Sequence, residues 1–333
     1  MKNPFINRRG VLQLGAGGLA FGAGLSALPG LAQDKFPSNP IDIVVPFGVG
    51  GGTDIWLRAM SIGLSSKKGL GVPVNVRNVP GAGSLRGAGE GFTADPDGYT
   101  LTGFNPPSTP WAWYLSRPPF DITQFRGVSV YVREPGIIVA HPDAGIDTFE
   151  QMIEAYNSGA KKIIASQQKG TIWHIAAMLM KQRSDINWEQ YVSYKGTSDI
   201  IAAILRREVE VGIVTASSAQ DAVRDGKLKP LAIVGLNERL ASYPDTPTMN
   251  EAGKDPLEVC VLRRSVYAPP GIDEERRVIL EKATIAAQDD TFMQAQYSSL
   301  SLEPARGTGA EADRAIADAL AVAEEIDLKS IAT

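Results

Sequence analysis

Short apolar runs separated by glycine-rich or polar turns recur along most of the chain. The first run, Ile41–Phe47, is rich in β-branched residues and is followed by a glycine cluster and a helical pattern at about 54–66. Further strands are predicted at 72–76 and 99–104, and a second glycine cluster at 81–83 opens another helix. Strands that alternate with helices in this way are typical of α/β folds with mostly parallel sheets.

The alternation resumes beyond a loop at 105–110. Strands are predicted at 137–140, 162–166, 191–194, 209–214 and 231–235, and helices at about 149–157, 171–182 and 198–206. The stretch 269–333 is predicted to be mainly helical, most clearly at 310–326. A chain of this length can build two hydrophobic cores. The pattern therefore predicts α/β lobes, and the length allows two of them.

The N-terminal region has the layout of a secretory signal peptide. An apolar run at 11–31 ends in small residues at Ala32 and follows a basic start formed by Lys2, Arg8 and Arg9. Pro29 and several glycines argue against a membrane-spanning helix, and the paired arginines suggest a twin-arginine export signal. We predict cleavage after Ala32 and a periplasmic destination.

Charge and cysteine content narrow the class of partner and the source of stability. The formal net charge is −4. The predicted signal peptide carries three positive charges and no negative one, so its removal makes the chain more acidic. Nucleic acid and anionic membranes are poor partners for such an acidic protein. Cys260 is the only cysteine, so no intrachain disulfide can form. Stability must therefore come from hydrophobic burial.

The loop Pro46–Asp54 favours the binding of an anion. Four glycines turn the chain after the first strand, and Thr53 is placed to cap the next helix. Glycines allow close approach of the backbone to a ligand, and free N–H groups at a helix start attract negative charge. A dinucleotide fingerprint would need a third glycine where Thr53 stands. Arg77, after the second strand, keeps an NADP-dependent enzyme open as an alternative.

Three further loops have the same character. Asn78–Ser84 follows the second strand, and two loops in the second half, Lys169–Thr171 and Tyr194–Ser198, precede helices. Such loops could converge on one crevice, where open α/β sheets bind ligands. Each taken alone is also explained as a turn or a helix cap.

Catalytic patterns are sparse. His141 and His174 are the only histidines, and the sequence contains neither a Gly-x-Ser-x-Gly elbow nor a zinc-binding or Cys-x-x-Cys motif. A Ser-His-Asp triad needs no fixed spacing, so a hydrolytic enzyme stays open as a second alternative. We predict no catalytic residue, no metal site and no cofactor.

The chain resembles the substrate-binding proteins of tripartite tricarboxylate transporters, also called the Bug family. The resemblance runs in order through nearly the whole chain after the signal peptide. It is carried by the segments Phe36–Ile41, Val45–Phe47 with Gly50–Asp54, Pro80–Gly83, Asp95–Leu101, Tyr194–Thr197, Gly226–Ala232, Tyr243–Gly253 and Ala268–Gly271.

The resemblance implies a two-lobe, hinged periplasmic binding protein that is not an enzyme. The first lobe would comprise residues 33–136 and 264–333, and the second lobe residues 137–263. Such a protein would hold a small organic carboxylate, largely through backbone N–H groups and hydroxyls. It would deliver the carboxylate to transporter subunits or, as an alternative, serve as the sensory input module of a receptor. We expect a monomer. The predicted ligand-binding residues are Phe47, Val49, Gly50, Thr53, Asp54, Trp56, Gly83, Ser84, Thr171, Trp173, Lys195, Gly196, Thr197 and Arg263.

Departures from the family pattern suggest an aromatic ligand. Trp56 and Trp173 replace commonly small residues beside two of the loops, and Val214 stands where an acidic residue is common. If both indoles face the crevice, they offer surface for stacking with a ring. Arg263 or Arg264 could clamp a second carboxylate by a bidentate bond. We therefore predict an aromatic carboxylate or dicarboxylate.

Overall fold

The computed structural model describes residues 36–332 except Gly51, Ser301 and Glu303. The predicted signal peptide, residues 1–32, lies outside the described residues. Within them, no helix is both long and apolar enough to cross a membrane.

Two five-stranded sheets form the centre of the molecule. The first has the order β2-β1-β3-β10-β4 and the second the order β7-β6-β8-β5-β9. In chain order the strands are β1 (Ile41–Val45), β2 (Val74–Asn78), β3 (Thr100–Phe104), β4 (Arg126–Glu134), β5 (Gly136–Ala140), β6 (Ile163–Gln167), β7 (Gln190–Tyr194), β8 (Val211–Thr215), β9 (Lys229–Val234) and β10 (Leu262–Ala268).

Helices flank both sheets. They are α1 (Gly52–Ser65), α2 (Leu85–Phe92), α3 (Ser108–Ser116), α4 (Phe149–Asn157), α5 (Ile172–Ser184), α6 (Thr197–Leu205), α7 (Ala216–Arg224), α8 (Glu274–Ala287), α9 (Thr291–Ser299), α10 (Gly309–Glu325) and α11 (Leu328–Ala332). The α/β fold with two lobes is therefore confirmed.

The same strand arrangement is used in each sheet. In the first, β1 pairs in parallel with β2 and β3, and β10 runs antiparallel between β3 and β4. In the second, β6 pairs in parallel with β7 and β8, and β5 runs antiparallel between β8 and β9. Because the carboxyl ends of parallel strands lie at one edge of a sheet, the loops after β1, β2 and β3 meet there.

The chain crosses between the sheets twice. Strand β4 ends at Glu134 and β5 begins at Gly136, so the first crossing is a single residue, Pro135. The chain returns when β10 begins at Leu262. Near the C-terminus, Ala319, Ala323 and Leu328 of α10 and α11 pack into the same apolar core as the second sheet. The C-terminal helices therefore contact both lobes, although they follow a strand of the first.

Several elements differ from the sequence prediction. The predicted loop at 105–110 contains the start of α3, because Pro110 lies in the first helical turn, where proline costs no hydrogen bond. Strands β4 and β10 were not predicted. In both strands, charged or small residues lie between the apolar ones, so the apolar pattern of a buried strand is broken. Almost every side chain in them is nevertheless at least partly buried.

Candidate functional site

The glycine-rich loop after β1 is held in shape by Asp54. The Gly50 N–H donates to Asp54 Oδ2 at 2.8 Å, Asn78 Nδ2 donates to Oδ1 at 2.9 Å, and Arg58 forms an ion pair with Oδ1 at 2.9 Å. Burial opposes ionisation of the Asp54 carboxyl, but these bonds outweigh it and hold its pKa below the usual value. Asp54 is thus buried and organises the loop, and Gly50 adopts the positive φ of 77° that the turn requires.

The two apolar residues predicted in this loop have different surroundings. Phe47 is half-buried and packs against the cores of the first lobe. Val49 is 76% exposed, so its side chain belongs to neither core.

Four buried polar side chains meet beneath the start of α1. Asn105 Nδ2 donates to Thr53 Oγ1 at 2.7 Å, and Arg264 Nη1 donates to the same oxygen at 2.9 Å. Arg264 Nη2 forms an ion pair with Glu134 Oε2 at 2.7 Å. We call these residues, Thr53, Asn105, Glu134 and Arg264, the crevice cluster. Thr53 therefore uses its hydroxyl as the acceptor that joins this cluster.

The crevice cluster lies where the chain passes from one sheet to the other. Thr53 and Asn105 follow β1 and β3, Arg264 is in β10, and Glu134 ends β4. The second oxygen of Glu134 accepts a hydrogen bond from the hydroxyl of Ser217, in the first turn of α7. The cluster is therefore linked to both lobes.

The second lobe contributes a chain of hydroxyl groups at the ends of its parallel strands. Thr197 Oγ1 lies 3.3 Å from Thr215 Oγ1, and Gln167 Nε2 donates to Thr197 Oγ1 at 3.4 Å. Gly196 directly precedes α6, and Lys195 is exposed beside it. The start of α6 thus offers N–H groups and a hydroxyl, both suited to a carboxylate.

Ser84 and Thr171 bond to neighbouring groups rather than capping their helices. Ser84 Oγ donates to Thr109 Oγ1 at 2.9 Å, and Thr171 Oγ1 donates to the Gln168 carbonyl at 2.6 Å. The explanation of Ser84 and Thr171 as hydroxyl helix caps is therefore wrong. Ser84 is buried, whereas Thr171 is half-buried.

Helix α3 brings loops of the two lobes close together. A methyl group at Gly83, in the loop before α2, would lie 3.5 Å from Ala112 Cβ. A methyl group at Gly170, in the loop before α5, would lie 3.3 Å from Leu115 Cδ1. Both loops thus lie against one short helix.

The two tryptophans offer no stacking surface, contrary to prediction. Trp56 is 2% exposed, and its ring centroid lies 4.8 Å from that of Tyr297 in the first core. Trp173 is 1% exposed, donates from Nε1 to Thr215 Oγ1 at 3.1 Å, and lies directly against Gly136. Both indoles are core residues, because they fall on the apolar faces of their helices.

The structure separates the two neighbouring arginines of β10. Successive side chains of a strand point to opposite faces. Arg264 joins the crevice cluster, whereas Arg263 lines a surface depression with Arg133 and, from α10, Glu311 and Asp318. Arg263 was predicted to bind the ligand, but the structure does not bring its side chain together with the other predicted residues.

Sequence reasoning did not place Asn105, Glu134, Thr215 or Ser217 at the site. Asn105 directly follows β3, and Thr215 ends β8. A polar residue at the end of a strand is a sequence signal that could have pointed to both. Glu134 and Ser217 occur in no recognisable motif. Among the described residues, no group of three or more His, Cys, Asp or Glu side chains is arranged to hold a metal ion.

Two α/β lobes joined by short crossings, with buried polar residues that link the lobes through Glu134 and Ser217, form the architecture of a two-lobe solute-binding protein. The family model described as "Tripartite tricarboxylate transporter family receptor" matches residues 57–330. The chain belongs to this family, whose members are solute-binding receptors and not enzymes. The NADP-dependent and hydrolytic alternatives are thereby set aside.

Individual relatives agree with this assignment. The chain is 32% identical over 265 residues to a UPF0065 protein of Bordetella pertussis, covering 79% of this chain and 80% of the relative. A TctC solute-binding protein from Polaromonas has the same fold, with a TM-score of 0.75, 22% identity, and coverage of 89% and 98%. MatC from Rhodopseudomonas palustris, solved with bound malate, gives a TM-score of 0.70, 22% identity, and coverage of 90% and 100%.

Proposed function

We propose that this protein captures a small organic carboxylate between its lobes in the periplasm and delivers it to a transporter of the tripartite tricarboxylate type. The observation that supports the proposal is the hydrogen-bonded link from Thr53, at the start of α1, through Arg264 and Glu134 to Ser217 of the second lobe. The hydroxyls of Thr215 and Thr197 lie next along the second lobe, 3.3 Å apart. The bound malate of MatC supports the same class of ligand.

The physical basis is desolvation of a carboxylate among fixed donors. The first turns of α1, α2, α5 and α6 carry backbone N–H groups that no helical carbonyl satisfies. Each charge-assisted hydrogen bond to a carboxylate contributes about 1.5–3 kcal/mol. Closure of the lobes would remove water from these bonds without any covalent step, as expected for a receptor.

The aromatic (di)carboxylate predicted above loses its structural support. It depended on two indole faces in the crevice, and both indoles are buried in the cores. The proposal therefore covers organic carboxylates as a class. Aromatic and aliphatic acids must be compared directly.

A thermal-shift panel tests the proposal. A ligand present at about 100-fold excess over its dissociation constant should stabilise the protein by about 2.7 kcal/mol. We expect at least one organic acid to raise the melting temperature, with isothermal titration to confirm one site. Failure of every aliphatic and aromatic carboxylate, with stabilisation by a cation or sugar instead, would refute the proposal.

Export is tested separately. We propose that the leader is removed after Ala32, so N-terminal sequencing of the protein recovered from a periplasmic fraction should begin at Gln33. Retention of the full chain in the cytoplasm, beside a cytoplasmic marker enzyme, would contradict this assignment.

A further inference from the structure

We propose that the buried ion pair between Arg264 and Glu134 sets the charge of the ligand, so that the protein prefers a monocarboxylate to di- and tricarboxylates. The inference rests on the proposed function, because it concerns the selectivity of the same crevice. It assigns a specificity role to two residues, one of which, Glu134, lies in no loop singled out by the sequence.

The pair is buried where the chain passes from one sheet to the other. Arg264 is 8% exposed and Glu134 is 1% exposed. The guanidinium lies directly under the start of α1, because a methyl group at Gly52 would stand 2.8 Å from Arg264 Nη2. Within the described residues, Arg264 Nε has no hydrogen-bond partner. One donor of the buried cation therefore stays unused, while the end of the guanidinium lies against the start of α1.

The charge of Arg264 is nevertheless already balanced. Nη2 bonds to Glu134 at 2.7 Å, and Ser217 holds the other carboxylate oxygen. A ligand carboxylate near Arg264 also approaches Glu134, so the attraction of one charge is offset by the repulsion of the other. The pair offers hydrogen bonds to an anion without supplying net positive charge.

The other charges of the site do not change this balance. Asp54 is paired with Arg58. The remaining cations beside the loops, Arg86, Lys169 and Lys195, are exposed, so solvent screens their charge. One carboxylate is stabilised by helix N-termini and hydroxyls, which act only over a short range. A second carboxylate would have to displace Glu134 from Arg264 and leave that buried acid without its partner.

Matched acids of equal carbon number provide the test. Dissociation constants would be measured by titration calorimetry for butyrate against succinate, hexanoate against adipate, and 2-methylbenzoate against phthalate. The zwitterion 4-aminobutyrate is compared with butyrate. We expect the wild-type protein to bind the monocarboxylate of each pair more tightly.

Charge variants then identify the cause. Glu134→Gln keeps the shape of the side chain but unbalances Arg264, so the preference should move by about tenfold or more toward the dicarboxylate. Arg264→Gln should weaken every acid. The double variant restores neutrality and should bring the ratio back toward that of the wild type. Arg263→Gln, on the adjacent residue outside the crevice, and Glu311→Gln serve as controls that leave the ratio unchanged.

The outcomes separate this inference from the proposed function. If wild-type protein binds no carboxylate, both fall. If it binds carboxylates but prefers each dicarboxylate, or prefers 4-aminobutyrate to butyrate, the inference is overturned while the function stands. An unchanged ratio in a folded Glu134→Gln variant also overturns it. If the single variants do not fold, the wild-type ratios and the double variant still decide.

Discussion

Replacement of Thr53 by valine is a direct test of the crevice cluster. The hydroxyl accepts from Asn105 Nδ2 at 2.7 Å and from Arg264 Nη1 at 2.9 Å, and the residue is 3% exposed. Valine has nearly the same shape but cannot accept a hydrogen bond. The variant therefore leaves two buried donors, one of them charged, without their acceptor.

The expected loss follows from the cost of a buried, unsatisfied polar group. Each such group costs about 1–3 kcal/mol, and more if it is charged, so Thr53→Val should lower the free energy of unfolding by about 3–5 kcal/mol. A domain of 150–250 residues loses about 2–4 °C of melting temperature per kcal/mol, which predicts a fall of roughly 6 °C or more. Thr171→Val is the matched control, because its half-buried hydroxyl makes one local bond to Gln168.

The assay is thermal and urea unfolding of both variants, with and without the best carboxylate found in the panel. We expect Thr53→Val to lose several times more stability than Thr171→Val. We also expect Thr53→Val to bind the carboxylate more weakly than the wild-type protein does. A loss below about 1 kcal/mol would show that water or a rotated Asn105 satisfies the donors. The cluster would then not depend on the Thr53 hydroxyl as described above.

Three further predictions concern buried residues. Trp56→Ala should destabilise the protein by about 3–5 kcal/mol, measured by urea unfolding, because it removes the packing against Tyr297; an exposed, ligand-facing indole would cost far less. Burial lowers the pKa of His174 to about 4, so between the unfolded value of about 6.5 and pH 4 the unfolded chain binds the additional proton and stability falls as the pH falls. His174→Asn, which keeps an acceptor for the Gly170 N–H, should flatten that dependence in melting curves. Burial raises the pKa of the Cys260 thiol, so a thiol reagent should react with it only after unfolding, and rapid labelling of native protein would contradict the structure.

The sequence was sufficient for those parts of the site that depend on local structure. A strand followed by glycines and a hydroxyl residue predicts a strand-to-helix turn wherever it occurs, and α1, α5 and α6 begin within two residues of the predicted positions. Helix α3 was missed because its proline-rich start resembles a loop, although Pro110 is compatible with a first helical turn. Local patterns therefore located the loops but not the helix that lies between them.

The buried face of helix α1 could have been predicted from the sequence. Trp56 stands four residues before Met60 and eight before Leu64, and all three are buried. This spacing places them on one face of a helix, which is the pattern of a core stripe. Periodicity thus favoured burial of Trp56, and the resemblance to the family, which placed the residue beside a ligand loop, pointed in the wrong direction.

The crevice cluster shows why the charge of a site is hard to infer from a sequence. Arg263 and Arg264 are adjacent, and either could have been assigned to the ligand until the pairing of β10 showed which side chain joins the crevice cluster. The partner of Arg264 lies 130 residues away, at the end of a strand that was not predicted. An arginine taken alone suggests a clamp for a second carboxylate. An arginine paired with a buried glutamate provides geometry and donors but no net charge, and only the tertiary structure distinguishes the two cases.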